Sequence, residues 1–84
     1  MPKLRVQEIA TARGMNMSQL QKKAAVTMPS IRRYWYNTRD GKVVGEPLTE
    51  VDLKVLAAIA AALGVKSRDL FTDEDRATLY LAAA

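Results

Sequence analysis

The sequence contains no cysteine and no histidine. The absence of cysteine excludes a disulfide framework and any thiolate site. The absence of histidine removes the commonest general base and the commonest metal ligand. An enzyme would then need carboxylates or lysine in a shaped pocket, and no phosphate-binding loop or metal-ligand spacing is present. We therefore expect no enzymatic activity, no cofactor and no metal.

Long apolar runs are also missing. The longest nearly apolar run, Val55 to Val65, is too short to cross a bilayer, which needs about 20 residues. The N-terminus does not resemble a signal peptide. With 84 residues, 49% of them hydrophobic, the chain is long enough for one small domain. We expect a cytoplasmic protein that does not associate with a membrane.

Positive charge is concentrated in the first half of the chain. Residues 1–45 hold nine Lys/Arg and two Asp/Glu, whereas residues 46–84 hold four Lys/Arg and seven Asp/Glu. A basic half on a small domain favours a polyanionic partner. The alternative is a solvated surface with uneven charge.

Apolar spacing and capping residues predict helices in the first half of the chain. The first helix covers about Lys3 to Arg13 and ends at Gly14, a residue type that favours helix C-termini. A second helix begins at Asn16, with Gln19 at the spacing of a capping box. A third helix begins at Thr27, a suitable N-cap.

The second half is predicted to hold a loop and two further helices. Residues 37–48 form a long loop, with a short hairpin around Asp40-Gly41 as one option. Thr49, with Asp52 three residues later, begins a fourth helix that ends at Gly64. Ser67 caps a short fifth helix through Leu70 and Phe71. No strand alternation is convincing, so the fold class is all-α.

Residues 72–84 are interpreted as a C-terminal extension of a domain that covers residues 1–71. Thr72 and the acids after it resemble a helix start, but the extension could be helix or strand. Its apolar residues Leu79, Tyr80 and Leu81 could cover the core, form a homodimer or bind a protein partner.

The segment TMPSIRRYWYN, residues 27–37, combines two arginines with three of the five aromatics. At about 100° per residue, Thr27, Tyr34 and Trp35 share the side of Ile31. The opposite side carries Pro29, Arg32, Arg33 and Tyr36, with Ser30 and Met28 at the borders. The segment is therefore predicted to be a helix with an apolar face and a basic face.

Two short helices joined by the tight turn Ala25-Val26-Thr27 match a helix-turn-helix. In that motif the first helix crosses the DNA backbone and the second lies in the major groove. The second helix must therefore be apolar on one side and polar or basic on the other, as predicted for residues 28–36.

The chain resembles the Cro/repressor-type, or xenobiotic-response-element-like, helix-turn-helix family over about residues 3–71. The resemblance depends on Gly14, NMSQL (16–20), VTMPSI (26–31) and LKVLAAIAAALGVKSRDLF (53–71), in this order. It implies a compact five-helix, lambda-repressor-like domain that binds double-stranded DNA. It also implies a homodimer, because one recognition helix reads too few base pairs to be selective.

The resemblance also assigns DNA contacts. Base-reading side chains are expected at Met28, Pro29, Arg32 and Arg33. Contacts with the DNA backbone are expected at Asn16, Ser18, Thr27, Ser30, Tyr36, Asn37, Arg39 and Lys42. The contacts at the start of the second helix have an independent reason, because helix N-termini attract phosphate.

Four departures from the family pattern carry structural expectations. Met17 stands where a phosphate-binding Gln is common, and Ala25 stands where Gly is common in the turn. The loop after the recognition helix is several residues longer than usual. Many members pair an Arg at the position of Ala10 with a Glu at that of Trp35, so we predict that Trp35 packs toward Ala10 instead.

These patterns together predict a sequence-specific, double-stranded-DNA-binding transcriptional regulator, with the recognition helix at about residues 28–36. The alternative is an interaction module, such as an antitoxin or adaptor, that binds a protein through its C-terminal segment.

Overall fold

The computed structural model of the protein describes residues 4–72, in which four α-helices and no β-strand are present. The helices are α1 (Val6–Ala12), α2 (Met17–Ala24), α3 (Met28–Tyr36) and α4 (Leu53–Leu63). The predicted all-α class is therefore confirmed, but the prediction of five helices is wrong.

A single 3₁₀ turn, Ser67–Leu70, stands where the fifth helix was expected. The physical reason lies at the other end of the described chain. The Arg5 N–H donates to the Leu70 carbonyl at 2.6 Å, and Leu4 forms an antiparallel bridge with Phe71. This pairing requires an extended backbone at Phe71, so a helix cannot continue past Leu70.

The predicted caps of α2 and α3 are confirmed. Asn16 Oδ1 accepts a hydrogen bond from the Gln19 N–H at 2.8 Å, and Gln19 Oε1 accepts one from the Asn16 N–H at 2.9 Å. Thr27 Oγ1 accepts from the Ser30 N–H at 3.4 Å. These side chains satisfy backbone donors that have no partner inside the helix.

The start of α4 differs from the prediction, because Asp52 and not Thr49 is its N-cap. Asp52 Oδ1 accepts from the N–H groups of Lys54, at 2.8 Å, and Val55, at 3.3 Å. The Asp52 N–H itself donates to the Tyr34 hydroxyl at 2.8 Å. This bond from α3 fixes Asp52 in an extended conformation, from which its carboxylate can cap the helix.

The core lies where the helices meet, with α2 packed against α3 and α4, and α1 in contact with the other three. The largest fully buried side chains are Tyr34, Leu20, Ile31, Leu56, Ile59, Leu63, Leu70 and Val6. Because α3 contributes two of these residues, its orientation is fixed by the core.

Two predictions concern residues beyond the described range. The roles suggested for Leu79, Tyr80 and Leu81 lie outside residues 4–72, and the division into residues 1–71 and 72–84 stays a prediction. Between residues 4 and 72, no helix has the length and apolar character required to span a membrane.

Candidate nucleic-acid interface

The turn between α2 and α3 is held by a left-handed residue and a side-chain hydrogen bond. Ala25 has φ 57° and ψ 42°, in the left-handed region, which glycine adopts at lower energy than alanine. Gln21 Nε2 donates to the Val26 carbonyl at 2.6 Å. The two features fix the direction in which the chain leaves α2. Sequence reasoning missed Gln21, whose only signal is its place in the last two turns of α2.

The α3 helix has the two faces that the sequence predicts. Ile31, Tyr34 and Trp35 are buried, and Trp35 is 8% exposed. On the other side Pro29 and Arg32 are exposed. The helix can therefore present Pro29 and Arg32 outward while its aromatic residues hold it to the domain.

The remaining predicted contact residues of α3 lie at intermediate positions. Met28, Ser30, Arg33 and Tyr36 are half-buried. Helical phase placed Thr27 on the apolar side. It is exposed, because it is the N-cap and lies before the first turn of α3. Its hydroxyl donates to Ser30 Oγ at 3.0 Å.

The N-terminus of α2 lies at the surface. Asn16 and Ser18 are exposed, and Met17 is half-buried against the core. The Asn16 side chain is used in the capping box, so the N–H groups of Met17 and Ser18 are the donors that a helix start leaves for an external acceptor. A phosphate could bind these backbone groups without a side chain from Met17.

The long segment after α3 folds into a closed loop over residues 38–47, which we call the 38–47 loop. Thr38 and Pro47 form an isolated antiparallel bridge, and the Arg39 N–H donates to the Glu46 carbonyl at 2.8 Å. Thr38 is buried, and its hydroxyl donates to the Lys42 carbonyl at 2.6 Å. The loop thus has a defined shape without forming a hairpin of strands.

The 38–47 loop packs against the outward side of α3 through Gly41, which is buried. A Cβ atom at Gly41 would lie 3.1 Å from Arg32 Cβ, 3.5 Å from the backbone nitrogen of Arg33 and 3.5 Å from the Pro29 carbonyl oxygen. Gly41 also has φ +83°, a conformation that residues with side chains rarely adopt. Glycine therefore permits the loop to touch α3 directly.

Arg33 lies in different surroundings from Arg32. Arg33 lines a small cavity of about 100 Å³ together with Arg39, Leu48, Thr49 and Glu50, which we call the α3–loop cavity. The Nε atom of Arg33 is buried and has no hydrogen-bond partner. Among residues 4–72 the Arg33 guanidinium also forms no ion pair.

The two cations of the 38–47 loop are paired with acids. Arg39 Nη1 lies 3.1 Å from Glu46 Oε2, and Lys42 Nζ lies 3.8 Å from Asp40 Oδ2. All four side chains are more than half exposed, so these pairs are weak and can exchange for another anion. Their predicted contacts with DNA would require this exchange.

Asn37 has a structural role that the sequence did not indicate. Its Oδ1 accepts from the Leu4 N–H at 2.8 Å, and its Nδ2 donates to the Leu4 carbonyl at 3.1 Å. Its own carbonyl accepts from Leu48 at 2.9 Å, and its N–H donates to Arg33. A DNA contact by Asn37 would have to use the second N–H of its amide.

Trp35 lies on the α1 side of the domain, as predicted. It belongs to the same core as the fully buried Ala10, and it lines a surface depression of about 460 Å³. The other residues of the depression are Leu4, Arg5, Gln7, Glu8, Thr11 and Asn37. Trp35 thus lies next to α1 residues, as the predicted packing toward Ala10 requires.

One titratable group near Trp35 is perturbed. The Arg5 guanidinium donates two hydrogen bonds of 3.1 Å to the Glu8 carboxylate. These hydrogen bonds, together with the positive charge of Arg5, hold the pKa of Glu8 below its usual range. Arg5 is the residue before α1 and Glu8 lies in its first turn, so we assign the pair to the surface at the start of that helix.

The structure thus brings most predicted contact residues to the α2 N-terminus, the outward side of α3 and the adjacent loop. Within residues 4–72, no group of His, Cys, Asp and Glu could hold a metal ion.

Comparison with known families matches residues 5–76 to the model of a Cro/C1-type helix-turn-helix DNA-binding domain. No curated protein and no solved structure matched the chain.

Proposed function

We propose that this chain, which belongs to the Cro/C1-type helix-turn-helix DNA-binding domain family, is a sequence-specific transcriptional regulator that acts on double-stranded DNA in the cytoplasm. Its α3 helix would lie in the major groove, and the N-terminus of α2 would contact the DNA backbone. The proposal includes a homodimer, because a single α3 covers too few base pairs to select a site in a genome.

The observation that carries this proposal is the division of α3 into two faces. Ile31, Tyr34 and Trp35 hold the helix to the core, and Pro29 and Arg32 are left exposed. A guanidinium can make two hydrogen bonds to guanine O6 and N7, which gives about 1–3 kcal/mol of discrimination. Proline and Met28 cannot do this, so their base contacts are apolar, for instance with a thymine methyl group.

The backbone contacts would come from the elements on both sides of α3. Asn16 and Ser18 lie at the start of α2, and Thr27 and Ser30 lie at the start of α3. Tyr36, Asn37, Arg39 and Lys42 lie at its end and in the 38–47 loop. Such contacts position α3 but carry no sequence information directly.

The test is selection of bound duplexes from a random pool, followed by titration of the recovered motif at several salt concentrations. We expect a motif with two related half-sites and an affinity that falls steeply as salt rises, because phosphate contacts release counterions. Arg32→Ala should lose preference at one base pair of each half-site. Lys22→Ala, which removes an exposed charge from α2, is the matched control and should keep the motif.

Absence of duplex binding even at low salt would contradict the proposal. It would favour the alternative of an interaction module that binds a protein partner.

A further inference from the structure

The two adjacent arginines of α3 lie in different surroundings. Arg32 is exposed, and its Cβ lies beside Gly41 of the 38–47 loop. Arg33 is half-buried in the α3–loop cavity, with its Nε shielded from water. Of the two, Arg32 is the arginine whose side chain is exposed to solvent.

The buried Nε of Arg33 is a donor without an acceptor. An unsatisfied buried donor on a charged group is costly, so the site gains free energy when an acceptor arrives. Glu50 lines the same cavity, yet it forms no ion pair with Arg33. Because Arg33 as a whole is only half-buried and forms no ion pair within residues 4–72, the exposed part of its side chain is available to an external oxyanion.

Arg39 gives the cavity a second guanidinium. Its ion pair with Glu46 is exposed and can open, which would free its donors for the same anion. With Arg33, Arg39 and Glu50 around it, the cavity carries a net charge of +1. The hydroxyl of Thr49 adds a hydrogen-bond donor at the rim.

We propose that Arg33 and Arg39 together bind one phosphate of the DNA backbone at the α3–loop cavity, which leaves Arg32 as the arginine of α3 that reads a base. This inference rests on the proposed function and deepens it, because the family resemblance assigned both Arg32 and Arg33 to bases. The 38–47 loop then has a structural role, because its contact with α3 at Gly41 keeps Arg39 at a fixed position relative to that helix. Recognition of the phosphate positions α3 in the groove without contributing to base preference.

The test is a chemical double-mutant cycle on the full-length protein and its selected operator. Each backbone phosphate of one half-site is replaced in turn by a neutral methylphosphonate. We expect one position at which wild-type binding falls about 10-fold and at which Arg33→Ala loses nothing further, because the two changes remove the same interaction. Arg39→Ala should respond at that same position.

The same variants are measured against all single base-pair changes of the operator and over a series of salt concentrations. Arg33→Ala should weaken every duplex by the same factor, and the slope of log K against log salt should fall by about 1. Arg32→Ala should instead relax preference at one base pair. Circular dichroism of each variant identifies loss of fold, and Arg33→Lys, which keeps the charge but lacks the planar fork, should bind with intermediate affinity.

This inference is overturned if Arg33→Ala changes the preference at a single base pair and stays as sensitive as the wild-type protein to every methylphosphonate substitution. That result would leave the proposed function intact. Failure of the wild-type protein to bind any duplex would contradict the proposed function itself.

Discussion

The hydroxyl of Tyr34, on α3, accepts a hydrogen bond from the backbone N–H of Asp52 at a distance of 2.8 Å. Tyr34 is 2% exposed, so the bond lies at the edge of the core. It joins α3 to the N-cap of α4 and closes the long segment between these helices. The position of α3 therefore depends on this one polar contact as well as on apolar packing.

Tyr34→Phe should lower the free energy of unfolding by about 0.5–1.5 kcal/mol, because the Asp52 N–H loses its acceptor in the protein. Urea denaturation followed by circular dichroism measures the change. Tyr36→Phe is the matched control. Tyr36 is half-exposed and its hydroxyl makes no hydrogen bond within residues 4–72, so its loss should have little effect. Equal effects of the two substitutions would contradict the role assigned to Tyr34.

Ala25→Gly should stabilise the protein. A left-handed conformation costs a residue with a Cβ roughly 1–2 kcal/mol, and glycine adopts it freely. The greater freedom of glycine in the unfolded chain cancels about 0.4–1 kcal/mol of this gain. A rise in the thermal midpoint is the expected result. Ala57→Gly, an exposed site within α4, should lower the midpoint instead.

Asn37 can be tested by separating its conformation from its amide. Asn37→Gly keeps a left-handed conformation at φ 58° accessible but removes two hydrogen bonds to Leu4, which we expect to cost about 1–2 kcal/mol. Asn37→Ala loses the same bonds and adds backbone strain, so it should be the less stable of the two. Chemical denaturation of both variants checks this order. If the two variants are equally stable, the left-handed backbone conformation at position 37 makes no separate contribution to the free energy of unfolding.

Gly41→Ala should displace the 38–47 loop from α3. The new Cβ would lie 3.1 Å from Arg32 Cβ, and the φ of +83° is unfavourable for alanine. We expect a loss of about 1–2 kcal/mol in stability, from the left-handed strain alone. We also expect weaker DNA binding, since Arg39 moves with the loop. Gly45→Ala is the control: its Cβ meets the carboxylate end of Asp40, which can rotate away. Hydrogen exchange of the loop amides and DNA titration distinguish the two variants.

The local part of the fold could be predicted because its signals lie within a few residues of each other. Asn16 and Gln19 define the start of α2, and Gly14 and Gly64 mark the ends of α1 and α4. The start of α4 could not be placed, since Thr49 and Asp52 are both good caps. The choice depends on the bond from Tyr34, which is 18 residues away.

For the candidate site, too, only the local part could be predicted from the sequence. Helical phase placed Tyr34 and Trp35 in the core and Arg32 at the surface. It gave Arg33 the same role as Arg32, because phase describes α3 alone. The difference between them lies in the α3–loop cavity, where Arg39, Leu48, Thr49 and Glu50 surround Arg33, and the sequence of α3 does not show these neighbours.

The bridge between Leu4 and Phe71 brings the first and last described segments side by side. The chain therefore enters and leaves this helical unit at neighbouring positions. The unit can be inserted into a surface loop of a host protein with short linkers at both junctions. Its two ends can equally be joined and new termini opened between Val43 and Val44, which are exposed. Such a circular permutant should retain all four helices.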